Sequence, residues 1–227
     1  MRHPDRANTY RLMSRIANLR KDPPFIIFQT ILDKATLRSL QVRRFFFLIY
    51  NGIPEVKNPR GPGEVREGTP PDIEEMATLE NKRELFRKRF AAGDHCLVAV
   101  ANKKIVGYEW FTRKPIHLEE RYLYRIKVPN DSVYAYDGYI LPEHRMCGFW
   151  LKFKGLMAEV MGIIGKRRII TMIDYENNFS MSTHLRFGFV PFMDVLVIRV
   201  LGKSFFKEKR LACTYRHKLI RHERVQG

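Results

Sequence analysis

A chain of 227 residues with 45% hydrophobic residues and a formal net charge of +17 is long enough to bury a core and too apolar to be disordered. Its three cysteines, Cys96, Cys147 and Cys213, are far apart and lack metal-ligand spacing, which argues against a disulfide framework, makes a reducing cytoplasm the expected location and leaves no metal expected. No apolar run is long enough to span a bilayer and the first residues hold no apolar signal core, so a soluble protein is expected.

The positive charge is concentrated at the two ends. Residues 1–24 hold six Lys/Arg against two acids, and residues 203–227 hold eight against two. Such a surplus suits a polyanionic partner: nucleic acid, an anionic membrane surface, an acidic protein or a phosphate-rich small molecule. A solvated basic surface with two tails accounts for it equally well.

In chain order, 1–21 is a basic leader that reads as a frayed terminus or as a short helix with Leu12, Ile16 and Leu19 on one face, and Asp22-Pro23-Pro24 ends it. Phe25–Ile31, rich in β-branched and aromatic residues, reads as a first strand. A helix is expected next, capped by Asp33 or Thr36, with Leu37, Leu40, Phe45, Leu48 and Ile49 as its apolar positions. Its Phe45-Phe46-Phe47 cluster reads as core or as the lining of an apolar groove. Asn51–Pro71, with four Pro- or Gly-bearing turns, is a long loop, and Ile73–Phe90 is a charged helix with i,i+3 ion pairs that Gly93 ends.

Cys96–Ala101 and Lys104–Phe111 flank Asn102-Lys103 as a hairpin. In the variable region 114–130, Arg121-Tyr122-Leu123-Tyr124-Arg125 interleaves bases and aromatics, a pattern that suits either base stacking or an edge strand. Val133–Leu141 is a strand, Pro142–Gly148 a tight turn, and a helix starts near Phe149. Phe149, Phe153, Leu156, Val160 and Ile163 make one apolar face of that helix, with Lys152, Lys154 and Lys166 off it. Arg168–Asp174 is the next strand, a short helix follows, and Val195–Leu201 and Leu211–Tyr215 close the chain.

Arg145-x-x-Gly148 stands where a strand hands over to a helix. The first N–H groups of a helix lack intrahelical acceptors, glycine permits close backbone approach, and arginine adds a forked donor, so this turn is a candidate anion site. A glycine kept for packing explains the same four residues.

Residues 140–150, Ile140-Leu141-Pro142-Glu143-His144-Arg145-Met146-Cys147-Gly148-Phe149-Trp150, resemble the first signature of the GNAT superfamily of acyl-coenzyme A-dependent N-acyltransferases, Q/R-x-x-G-x-G/A after a hydrophobic-x-Pro strand end. Trp150 departs from the pattern, standing at the second small residue. Asn177-x-x-Ser180-x-x-x-His184-x-x-x-Gly188-Phe189 resembles the second signature, with His184 where the family usually has a tyrosine. The resemblance implies an α/β (α+β) fold. Its mixed central sheet of about six to seven strands, flanked by helices, is splayed between the fourth and fifth strands. It places a GNAT-like acyltransferase domain over 25–201, between the basic extension 1–24 and a basic strand or tail over 202–227.

What the resemblance implies for the site is a coenzyme pyrophosphate on the turn formed by Ile140, Arg145, Met146, Cys147, Gly148, Phe149 and Trp150. Asn177 and Ser180 stand on the second signature, where ordering the turn and capping the helix is an alternative role. The acyl arm lies along the splayed strand, whose N–H groups hold the thioester carbonyl as charge develops. Candidate bases for the attacking amine are Asp137, nearest the expected reaction centre, and Glu109 on the preceding hairpin; His184 is the candidate for returning a proton to the thiolate. Asp137-Gly138 equally reads as a strand bulge.

Three functions follow. The first is N-acyl transfer from acyl-coenzyme A, acetyl-coenzyme A by default, to an amine. In the second, acyl carrier protein is the donor, as in the long-chain N-acyl amino acid and acyl-homoserine-lactone synthases, with the basic surface steering the acidic carrier. The third is a non-catalytic module of the same fold that binds a polyanion such as nucleic acid or an anionic membrane surface.

Overall fold

The computed structural model describes residues 23–36, 40–52 and 63–211. The basic leader, loop residues 53–62 and the end of the chain from 212 lie outside the described residues. In chain order the elements are α1 (Pro23–Ala35), β1 (Leu40–Asn51), β2 (Glu64–Glu67), α2 (Ile73–Leu79), α3 (Arg83–Ala91), β3 (His95–Ala101), β4 (Lys104–Thr112), β5 (Ile116–Glu119), β6 (Tyr124–Lys127), β7 (Ser132–Ile140), α4 (Phe149–Ile163), β8 (Arg168–Asp174), α5 (Asn178–Phe187), β9 (Val190–Val200) and β10 (Lys203–Arg210). The described residues divide into two compact units, those up to Leu48 with those from Met172 onward, and those from Ile49 to Thr171.

In the first unit the order of expected elements is reversed. Phe25–Ile31 is part of helix α1, and residues 40–49 are strand β1. Two prolines open α1, where their fixed φ suits the first helical turn and their missing N–H costs nothing. The helix is tied down by Gln29, whose Nε2 donates to the Val42 carbonyl at 2.8 Å, and by an Asp33–Arg43 ion pair. Phe45, Phe46, Phe47 and Leu48 are all at most 2% exposed, so both faces of β1 are covered. A continuous apolar run is what a two-sided buried strand requires, and periodicity alone does not separate it from a buried helix. These phenylalanines are core: Phe45 meets Phe47 edge-on at 5.5 Å, and Phe47 meets Phe192 at 6.1 Å.

Also in this unit, β9 pairs antiparallel with β10 over eight residue pairs, from Lys203↔Val200 to Arg210↔Met193. The basic strand or tail expected over 202–227 is a strand over its described part, Lys203–Arg210.

In the second unit β2, β3, β4 and β7 form successive antiparallel pairs, and β8 joins β7 in parallel. The β3–β4 hairpin turns on Asn102 (φ 50°) and Lys103 (φ 60°), the two left-handed residues of a tight two-residue turn. The charged helix expected over Ile73–Phe90 is two helices, because Glu80 is extended (φ −145°, ψ 128°) between α2 and α3. β5 and β6 pair as a separate hairpin, and Tyr122 and Tyr124 are buried, which makes them core and not a stacking platform.

α4 is a helix as expected, but its buried face is rotated. Phe149, Phe153, Lys154, Met157, Ala158 and Met161 are buried, while Ile163 is 85% exposed. The apolar count set Lys154 outside the face, whereas the stripe runs through it. At the start of α4, Gly63 (φ +84°) leaves no room for a side chain: an added Cβ would lie 2.3 Å from the Val100 carbonyl oxygen and 2.8 Å from Phe149 Cζ. We expect Gly63→Ala to destabilise by about 2–3 kcal/mol through overpacking and backbone strain. Gly52→Ala, where nothing lies within 4 Å, is expected to cost about 1 kcal/mol from φ alone. Urea unfolding of the two variants checks the difference.

Candidate active site

The turn after β7 is built by three consecutive features of the backbone. The parallel β7–β8 ladder runs only from Ser132↔Arg168 to Ala135↔Thr171, so Tyr136 to Ile140 continue β7 past the last pair. On the other edge the β4–β7 register slips between Tyr108↔Tyr139 and Trp110↔Tyr136, and Asp137 takes φ +45°. Two residues, Asp137 and Gly138, therefore stand opposite Glu109, which is a β-bulge. Leu141 then donates to the Val106 carbonyl at 2.9 Å, residues 142–144 make one 3-10 turn, and Gly148 (φ 78°, ψ 2°) starts α4.

The bulge separates the two candidate bases. Asp137 accepts from Lys82 Nζ at 2.8 Å and is ion-paired with Arg89. Burial opposes its ionisation, but the charges of Arg89 and Lys82 outweigh burial and hold the carboxyl below the ordinary aspartate value. A carboxylate so paired is a weak proton acceptor. Glu109 lies against Gly138, where a Cβ would sit 3.6 Å from Glu109 Cγ. Its Oε1 accepts from Lys154 Nζ at 2.5 Å, and its buried Oε2 has no hydrogen-bond partner among the described residues.

Lys82, Arg89 and Lys154 were not singled out from the sequence. The signal available was complementarity: Glu109 is the one acid in the apolar run 105–111, and Lys154 the one base between Phe153 and Met157. Around Asp137, Tyr108 donates to Glu80, and Tyr136 donates to Asp94 Oδ2 at 2.9 Å. Burial raises both tyrosines well above the ordinary phenol range, with neighbouring carboxylates adding to the effect.

The residues of the turn fit an anion. α4 has no acid in its first turn and no side-chain cap, and its first intrahelical bond is Lys152 N–H to the Gly148 carbonyl at 3.1 Å. The N–H groups of Phe149 and Leu151 precede that bond, at the positive end of the helix. Arg145 is anchored over the turn by Nε donating to the Ile140 carbonyl at 3.1 Å. Met146 is 87% exposed, Cys147 is half-buried, and Phe149 is fully buried. The Trp150 ring lies 5.1 Å from Lys154 Nζ, one helical turn further along α4, so it extends away from the helix start.

Asn177, Ser180 and His184 form a second cluster, in the first unit. Asn177 Oδ1 accepts from Ser180 N–H at 3.0 Å and caps α5. His184 is buried against Phe189, with ring centroids 4.9 Å apart, and its Nδ1 lies 2.8 Å from the Ser180 carbonyl. A carbonyl oxygen only accepts, so Nδ1 carries a hydrogen and proton exchange falls to Nε2.

No family model matches the sequence, and no curated protein matches it. Among solved structures, a GNAT-family protein from Novosphingobium aromaticivorans is similar, with 13% identity, a TM-score of 0.51, and coverage of 69% of this chain and 63% of that one. A Drosophila protein is similar to the same degree, at 13% identity and a TM-score of 0.51, over 76% of this chain and 57% of that one. The matches thus span less than two thirds of either structure's length. Together with the bulged strand, the parallel ladder that stops at Ala135 and the turn into α4, they show that this chain has the mixed α/β fold of the GNAT superfamily.

Proposed function

We propose that the protein is an N-acyltransferase that takes an acyl group, acetyl by default, from a coenzyme A thioester and passes it to an amine. The observation that carries this is the hand-over from β7 to α4: a strand edge with no ladder partner beyond Ala135 among the described residues, leading through Gly148 to the positive end of α4 and to Arg145. In this reading Ile140 and Arg145–Trp150 hold the pyrophosphate. The N–H groups of β7 past the ladder hold the thioester carbonyl as it gains charge.

Glu109 is the proposed base. Lys154 holds its Oε1 and its Oε2 has no hydrogen-bond partner among the described residues, whereas Asp137 has a cation on each oxygen and is proposed to fix the bulge. The amine loses its proton through a water to Glu109, attacks the thioester carbon, and the tetrahedral intermediate collapses with cleavage of the C–S bond. His184, hydrogenated at Nδ1, is proposed to return a proton to the thiolate through Nε2. Asn177 and Ser180 order the start of its helix.

The carrier-protein reading and the polyanion module rest on the basic surplus and on the departures at Trp150 and His184, since Phe45–Phe47 are core of β1 and cannot line an acyl groove. The test is release of free thiol from acetyl-coenzyme A against a panel of primary amines. Glu109→Gln is expected to lower kcat by about 100-fold with KM for the thioester unchanged, the effect of removing a general base. Unaltered turnover in a folded Glu109→Gln enzyme would contradict the assignment.

A further inference from the structure

The far end of the β9–β10 ribbon carries a cluster of exposed apolar side chains on its outer face. Ile198, Val200 and Phe205 are 37%, 38% and 59% exposed, and Leu201 at the tip is 81% exposed. Phe205 pairs with Ile198 and Lys203 with Val200, so these four side chains share one face of the ribbon, with Lys207 next along it. Residues 196–207 contain Arg199, Lys203 and Lys207 and no acid.

The turn itself is informative. Leu201 (φ 47°) and Gly202 (φ 82°) are both left-handed, and the first position of such a turn is where asparagine or aspartate is favoured. Leucine there accepts backbone strain while placing an apolar side chain at the most exposed point of the hairpin.

We propose that this ribbon tip docks on an anionic phospholipid surface, Leu201 and Phe205 entering the acyl boundary while Lys203 and Lys207 meet the headgroups. A convex tip with isolated aliphatic side chains offers no groove for a peptide. Nucleic acid would take the lysines and leave Leu201, Ile198 and Val200 in water. A lipid interface uses both features, since apolar insertion and attraction of basic residues to anionic headgroups add.

The experiment is co-sedimentation of the full chain with vesicles of phosphatidylcholine alone and of phosphatidylcholine with phosphatidylserine. Binding is expected only to the second, weakened by raised salt. Leu201→Asn removes the apolar tip while giving the turn a residue that suits its backbone, so loss of binding cannot come from misfolding. Leu201→Asn with Phe205→Asn is expected to lower the vesicle partition at least about tenfold, and Lys203→Glu with Lys207→Glu to do the same. Equal binding by wild type and the Leu201/Phe205 variant would overturn the proposal and assign vesicle binding to the chain ends. So would absence of vesicle binding, whether the variants then change the oligomeric state or the affinity for DNA.

Discussion

Lys154→Met is expected to lower the unfolding free energy by about 3–5 kcal/mol, the cost of leaving one member of a buried ion pair without its partner. Lys154 is fully buried, and its ammonium is held by Glu109 Oε1 at 2.5 Å and by the face of Trp150 at 5.1 Å. Methionine keeps most of the volume and removes the charge, so the loss comes from Glu109 and not from a cavity. Adding Glu109→Gln to Lys154→Met removes the stranded charge, and the double variant is expected to recover most of the loss. Equilibrium urea unfolding of the two single variants and the double reads this directly. A double variant no more stable than Lys154→Met would mean that packing, not charge, holds α4 to β4.

Asp137→Asn is expected to cost about 2–4 kcal/mol, because Lys82 and Arg89 both lose their carboxylate. It also predicts a change in acid sensitivity. The folded carboxyl titrates below its ordinary 3.8, so its stabilisation is present above about pH 4 and is lost as pH falls through the lowered folded value. Unfolding free energy of the wild type should therefore fall more steeply than that of Asp137→Asn below about pH 4. Parallel profiles would show that the ion pairs form without contributing stability.

The parts of the fold legible in the sequence were those with local chemistry. The β3–β4 hairpin carried its turn residues, and strands Arg168–Asp174 and Ser132–Ile140 carried β-branched and aromatic runs between breakers. The turn at Gly148 and the cap at Asn177 were marked by residue type and spacing. What was misread needed knowledge of the surroundings. Residues 40–49 alternate poorly because β1 is covered on both faces, which made a strand look like a buried helix. Lys154 was set on the surface because a lysine inside an apolar stripe makes sense only once Glu109 is seen to face it. The contacts of Asp137 with Lys82 and Arg89, on the stretch of chain before β3, were likewise invisible until the fold brought them together.

The measurement that bears most directly on the acyltransferase reading is calorimetric titration with coenzyme A and acetyl-coenzyme A. The account predicts saturable binding at one site by the wild type. It predicts loss of at least about 100-fold in affinity in Gly148→Glu, which sets a carboxylate at the helix start, and a smaller loss in Arg145→Ala. Gly148→Asn, whose backbone accepts the left-handed conformation, distinguishes a blocked approach from a broken turn. Absence of coenzyme binding by the folded wild type, or binding that survives Gly148→Glu, would contradict the account.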